Sequence, residues 1–266
     1  MEEELNKKGF SRRNFIKGTA GVAALGVLGA CAPQTVQETP AATEAVAATG
    51  SASGWSWDTP PAAIADSDIV ETIDTDVLVI GAGNSGVASA CSASENGAKV
   101  IVLEKTTTIN GRGGGVGACN SRLNKELGFE IEPVAAQYRW NRTCGNRNNE
   151  ALVKLWFDHS GEAMNWLLDK ADKRGAKYTL YAGYSHSEIA PEEPDFHTFQ
   201  AGDFEMPDKT GYFVPTALVY ADAVDQGVEF LFEHVAQYLI KEDGKVTGAV
   251  VSTPDGYKRF NASKAV

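Results

Sequence analysis

Two features of the 266-residue chain have residue types and spacing suited to holding a phosphate and a sugar. Gly81-Ala82-Gly83-Asn84-Ser85-Gly86 is a complete G-x-G-x-x-G, and Glu104 stands a short helix and strand further on. Gly81 permits a tight strand-to-helix turn. Gly83 has no side chain, so the backbone can approach a pyrophosphate, and Gly86 lets the following helix pack close to its strand. A helix that starts in such a loop presents unpaired N–H groups and a partial positive charge to an anion. The carboxylate of Glu104 can accept both hydroxyls of an adenosine ribose, which favours a free 2′-hydroxyl and argues against NADP.

This chemistry needs a strand, a helix and a second strand in order, and the sequence supplies them. Val77-Leu78-Val79-Ile80 is a continuous apolar run of the kind buried on both faces of a parallel sheet. The segment from Ser85 to Glu95 reads as a helix with small residues at Ala88, Ala90, Cys91 and Ala93, and Asn96-Gly97 stop it. Val100 to Leu103 form the second strand, which Glu104 closes. Lys105, three threonines and "INGRGGGVGACNSRLN" come next. Gly111, Gly113, Gly114, Gly115 and Gly117 free the backbone there to line a large flat ligand or to form an anion-binding nest. NAD and FAD both use a unit of this kind, and the residues themselves leave both open.

Bulk properties exclude other chemistry. With 24 Lys+Arg against 35 Asp+Glu, the net charge is −11 and no clustered basic footprint offers itself to a nucleic acid. Cys31, Cys91, Cys119 and Cys144 show no C-x-x-C spacing and no C-x-x-C-H for haem. Cys91, among alanines and serines, is expected to be a small core residue. His159, His186, His197 and His234 form no pair at metal-ligand spacing, and no serine elbow accompanies them. No metal site is expected.

The N-terminus reads as targeting material. Ser11-Arg12-Arg13-Asn14-Phe15-Ile16-Lys17 precedes "GTAGVAALGVLGACA", which is too short and too weakly apolar to span a bilayer. That order resembles the twin-arginine export signal, an address read by a receptor. Ala30-Cys31-Ala32 offers an ordinary cleavage site, while Leu28-Gly29-Ala30-Cys31 resembles a lipobox that would make Cys31 an acylated first residue. The Ala-, Thr-, Pro- and Glu-rich stretch beyond it cannot bury a core and suits a tether. The expected organisation is a signal over residues 1–32, a linker over 33–72 and a folded domain over 73–266.

The stretch "DVLVIGAGNSGVASACSASENGAKVIVLEK", followed by "GRGGGVGACNS", resembles the FAD domain of the fumarate reductase/succinate dehydrogenase flavoprotein family. Urocanate reductases and 3-ketosteroid dehydrogenases belong to that family too. The similarity extends through "NNEALVKLWFDHSGEAMNWLLDKADKRGAKY" and "TALVYADAVDQGVEFLFEHVAQYLIKEDGKVTGAVV". The resemblance implies an α/β fold, a parallel Rossmann-type sheet with an inserted β-meander near residues 230 to 260, incomplete at the C-terminus. It implies that Gly81, Gly83, Asn84, Ser85 and Gly86 hold the FAD pyrophosphate. Glu104 and Lys105 would then meet the adenosine ribose, and the backbone of Ala236 the adenine edge. Gly111, Arg112, Gly113 and Gly117 would run past the pyrophosphate toward the flavin. Relatives carry a small polar residue where Arg112 stands, so Arg112 either replaces that contact or turns outward.

The implied activity is reduction of an activated C=C bond in a small molecule, with electrons from a membrane or cytochrome donor. In the family a capping domain beyond this stretch supplies the proton donor, so no catalytic residue is assigned in this chain. The long polar loop bearing His186 and His197 approaches the substrate mouth in the family. A NAD-dependent dehydrogenase and an inert nucleotide-binding fragment are the alternatives. Export and cofactor support each other, because the twin-arginine route carries folded proteins and a non-covalent FAD is inserted before export.

Overall fold

A computed structural model describes residues 62–181, 183 and 193–266. The export signal, Cys31, most of the expected linker and His186 lie outside these residues. After a short 3-10 turn at Asp66–Asp68, strand β1 (Ile69–Ile80) leads into helix α1 (Asn84–Glu95) and strand β2 (Val100–Glu104). The βαβ unit thus stands where its residues place it. β1 begins at Ile69, ahead of the expected domain boundary at residue 73. Its first half pairs in parallel with β9 (Gly256–Ala265), with Ile73 opposite the buried Phe260 and polar pairs on either side. Lys258 reaches Glu71 at 2.8 Å, Asn261 donates to Asp74 at 2.9 Å, and Lys264 meets Asp76 at 3.1 Å. A polar ladder of this kind leaves no hydrophobic run to read.

The main sheet has six strands, with β6 (Glu229–Phe232), β7 (Val235–Glu242) and β8 (Lys245–Thr253) in the order β6-β2-β1-β9-β8-β7. β6, β2, β1 and β9 run parallel, and β7, β8 and β9 form the antiparallel meander. The last strand of the meander is therefore also a strand of the parallel core. A second, antiparallel sheet joins β3 (Val116–Gly117), β5 (Phe196–Gln200) and β4 (Lys177–Leu180). Between these lie α2 (Arg122–Glu126), α3 (Pro133–Thr143), α4 (Glu150–Arg174) and α5 (Val214–Asp225).

α4 starts where Asn149 Oδ1 accepts the N–H groups of Ala151 and Leu152, and it stops at Gly175, whose φ is +73°. Helices α1, α4 and α5 cover one face of the sheet, burying Val87, Val102, Leu168 and Ala223 together. Leu78, Ile101, Val251 and Phe260 fill the other face. Cys91 is fully buried in α1, as its small neighbours require.

The C-terminal end of α1 is locked by ions. Lys170 on α4 places its ammonium 2.6 Å from Glu95 and 2.8 Å from Asp222, and 4.2 Å from the Trp166 ring centre. Lys173 adds a contact of 2.6 Å to Asp222. Burial pushes the Asp222 carboxyl up, but hydrogen bonds from Lys170 and Lys173 outweigh it and bring it down to about 2. Cys91, Glu95 and Asp222 bring possible ligand atoms within 4.8 Å of one another, yet two of them already hold the Lys170 ammonium.

Candidate cofactor site

The three glycines of the first loop serve three distinct purposes. Gly81 has φ +101°, a conformation that favours glycine, and its N–H donates to the Leu103 carbonyl at 2.7 Å. A Cβ on Gly86 would run into the Gly81 carbonyl oxygen. Gly83 is different. Its φ of −81° suits any residue, and the nearest atom to an added Cβ is the Asn110 oxygen at 3.9 Å. The packing around this position makes no demand for glycine, and the space in front of it is free. α1 begins here without a side-chain cap, so its first N–H groups remain available to an anion.

Glu104 is buried, and its carboxylate is engaged by the protein itself. It accepts the Ala82 N–H at 2.8 Å and, from Thr106, the N–H at 2.9 Å and the hydroxyl at 2.8 Å. Burial pushes this carboxyl up, and the N–H donors of Ala82 and Thr106 more than reverse the effect, so it stays ionised. Glu104 thus clamps the first loop, with one lone pair of the Ala82-bound oxygen Oε2 not used by these bonds. Lys105 is exposed beside it. The His234 N–H donates to the Glu104 carbonyl at 3.0 Å, which brings the start of β7 and Ala236 to the same end of the sheet.

The second glycine run packs against the first. Asn110 bridges to Gly83, and its N–H donates to the Ala82 carbonyl at 2.9 Å. The Asn84 side chain is turned to this run, while its backbone N–H stands at the uncapped start of α1. The side chain donates to the Arg112 carbonyl at 2.8 Å, accepts the Arg112 N–H at 3.2 Å and accepts the Thr216 hydroxyl at 2.6 Å. Ser85 stays exposed at the helix start. The Arg112 side chain is exposed, with Asn110 Oδ1 at 3.5 Å.

The glycines of this run are needed mainly by the protein. A Cβ on Gly111 would lie 2.7 Å from Thr216, one on Gly113 would lie 2.9 Å from Phe213, and one on Gly115 would strike the His197 carbonyl oxygen. Gly117 has ordinary room beside Trp156 at 3.5 Å. Gly111, Gly113 and Gly115 thus also make way for the start of α5 and for β5, whereas Gly114, with its nearest neighbour at 3.9 Å, has open space before it.

His197 does not reach a substrate mouth. It is fully buried, with Nε2 at 2.7 Å from Ser121 Oγ and Nδ1 at 2.8 Å from the Asp195 carbonyl, and burial holds its pKa below the ordinary histidine value. It ties β5 to the exit of the second run. His159 is exposed, and His234 makes a local contact with the Phe232 carbonyl at 2.7 Å. A cavity of about 350 Å³ opens between α1, α4 and α5, lined by Asn84, Gly117, Trp156, Trp166, Met164 and Phe213 among others. Thr216, Phe213 and Trp156 were invisible as site residues in the sequence. Their partners lie far away along the chain, and no local motif marks them.

A parallel sheet with a glycine turn, an uncapped helix and a buried acid at its carboxyl end defines a dinucleotide-binding fold. Residues 76–266 match the FAD binding domain family, and the chain belongs to it; its cofactor is FAD. Residues 9–29 match the twin-arginine translocation pathway signal sequence, which directs export across the cytoplasmic membrane. The open face of Gly83, the bare start of α1 and the ionised Glu104 fit this cofactor.

Among curated proteins, the digoxin reductase of Eggerthella lenta is 32% identical over 177 residues, covering 61% of this chain and 29% of that protein. The fumarate reductase (cytochrome) of Shewanella frigidimarina is 33% identical over 96 residues, 35% of this chain and 17% of that protein. The urocanate reductase of Eggerthella lenta is 32% identical over 132 residues, 47% of this chain and 21% of that protein. The chain therefore spans less than a third of the length of these relatives. The 3-ketosteroid-Δ4-(5α)-dehydrogenase of Rhodococcus jostii shares the fold, with a TM-score of 0.62 at 24% identity, over 76% of this chain and 47% of that one. A flavocytochrome c3 fumarate reductase shares it too, with a TM-score of 0.58 at 23% identity, over 75% and 34% of the two chains.

Proposed function

We propose that this chain is the FAD-binding part of an exported reductase of activated C=C bonds in small molecules. One observation carries the reading: the Gly83 cradle and Glu104 clamp occur in a chain whose relatives include enzymes named for reducing fumarate and urocanate. Both of those molecules contain a C=C bond conjugated to a carboxylate. Bound FAD supplies hydride chemistry. The residues of this chain bind and orient it. The N–H groups at the start of α1 and the bare face of Gly83 receive the pyrophosphate, with Ser85 at its edge. The remaining lone pair of Glu104 Oε2 takes a ribose hydroxyl, Lys105 flanks the sugar and the Ala236 backbone meets the adenine edge. Gly111, Arg112, Gly113 and Gly117 form the wall that runs toward the flavin, contributing backbone rather than side chains. Electrons arrive from a membrane or cytochrome donor, and acylation at Cys31 would keep the domain at the outer face of the membrane.

The test is anaerobic. The purified full chain is loaded with FAD, reduced with dithionite and mixed with fumarate, urocanate or acrylate in turn. Reoxidation of the flavin with saturation of the double bond supports the reading. A chain that retains no flavin but binds NADH contradicts it, because extracytoplasmic sites have no free NADH to use.

A further inference from the structure

The hairpin of α3 and α4 carries a surface that cofactor binding does not explain. From Pro133 to Asn149 the chain has Arg139, Arg142 and Arg147 and no acidic residue, within a protein of net charge −11. Arg139 pairs with Glu193. Among the described residues, neither Arg142 nor Arg147 meets a carboxylate; Arg142 lies over the Tyr138 ring at 5.7 Å. Val134, Tyr138 and Arg142 recur at helical spacing along one stripe of α3, with Val134 74% and Tyr138 62% exposed. Trp140, packed against Trp156 at 5.7 Å, still leaves 45% of its surface in solvent. Residues 142 to 147 at the tip are all exposed.

We propose that this hairpin is the face on which the exported domain rests against an anionic lipid surface. Three observations select lipid over other partners. Tyrosine and tryptophan beside arginine suit the headgroup region, where an apolar ring and a polar tip are both accommodated. The charge is complementary: an acidic domain is repelled from an anionic membrane in most orientations, and this hairpin is a basic segment that can approach it. The twin-arginine match over residues 9–29 delivers the domain to the outer side of a membrane. The proposal rests on the export signal and is independent of which substrate the flavin serves.

The test is cosedimentation of the full chain carrying Cys31→Ser, which removes any acyl anchor, with vesicles of phosphatidylglycerol and phosphatidylcholine or of phosphatidylcholine alone. The signal segment is common to all variants, so it cancels when parent and variants are compared on the same vesicles. A matched chain from which residues 1–32 are removed serves for the comparison between vesicle types. Arg142→Gln with Arg147→Gln should weaken partitioning onto the anionic vesicles about thirty-fold. Flavin content and thermal midpoint should not change, which separates this result from failure of the cofactor reading. Tyr138→Ser should weaken binding further at high salt, where charge is screened. Equal binding of parent and double variant to anionic vesicles overturns the proposal. So does equal binding of the parent to both vesicle types, or to neither; the last outcome would leave the face to an acidic protein.

Discussion

The two glycine runs of this domain look alike in sequence and differ in purpose. In the first, Gly81 answers to backbone conformation, Gly86 to helix packing and Gly83 to nothing in the protein. In the second, Gly111, Gly113 and Gly115 each face a side chain or carbonyl of the protein at a distance that excludes a Cβ. A glycine with an ordinary φ and open space before it, such as Gly83 and, in the second run, Gly114, is not required by the fold around it. A glycine pressed against its own fold is a packing device.

This contrast makes ordered predictions. The scaffold beneath both runs should break most severely. Lys170→Met would leave Glu95 and the buried Asp222 without their shared ammonium, costing about 4 kcal/mol in urea unfolding. Acid should weaken the same cluster. The folded-state carboxyl of Asp222, at about 2, lies below the ordinary 3.8. Its stabilisation is therefore complete above pH 3.8 and is lost as pH falls through about 2. Asp222→Asn should flatten that part of the stability–pH curve.

Within the second run, Gly115→Ala should cost about 3 kcal/mol even without flavin, because the His197 carbonyl belongs to a paired strand and cannot yield. Thr216→Val removes the hydroxyl that bonds Asn84 and should cost about 1 kcal/mol, visible as a lower urea midpoint. In the first run, Gly83→Ala should cost the flavin-free chain only about 0.5–1 kcal/mol, the penalty of alanine at the helix cap. Equal losses at Gly83 and Gly115 would erase the distinction between the runs.

The first loop was readable because its physics is local. Strand, turn and helix follow one another, so Gly81, Gly83, Gly86 and Glu104 mark themselves by spacing alone. The β-meander was placed through the family resemblance, and the structure bears it out. The polar half of β1 and the double use of β9 were not readable, since Glu71 and Asp74 signal nothing until Lys258 and Asn261 are beside them. The side-chain role of Asn84 was hidden for the same reason, since its partner Thr216 comes from a helix much later in the chain. His197 was drawn toward a substrate by its loop and is held in the core by Ser121 and the Asp195 carbonyl.

The central claim is that the space before Gly83 belongs to the cofactor, and a FAD titration tests it most directly. Flavin fluorescence would be followed as the flavin-free chain and its Gly83→Val variant are added, with circular dichroism confirming that both are folded. The parent should quench FAD saturably, and the variant should bind it at least about tenfold more weakly, a loss of about 1.4 kcal/mol, while remaining folded. Equal affinity of the two proteins for FAD would contradict the account.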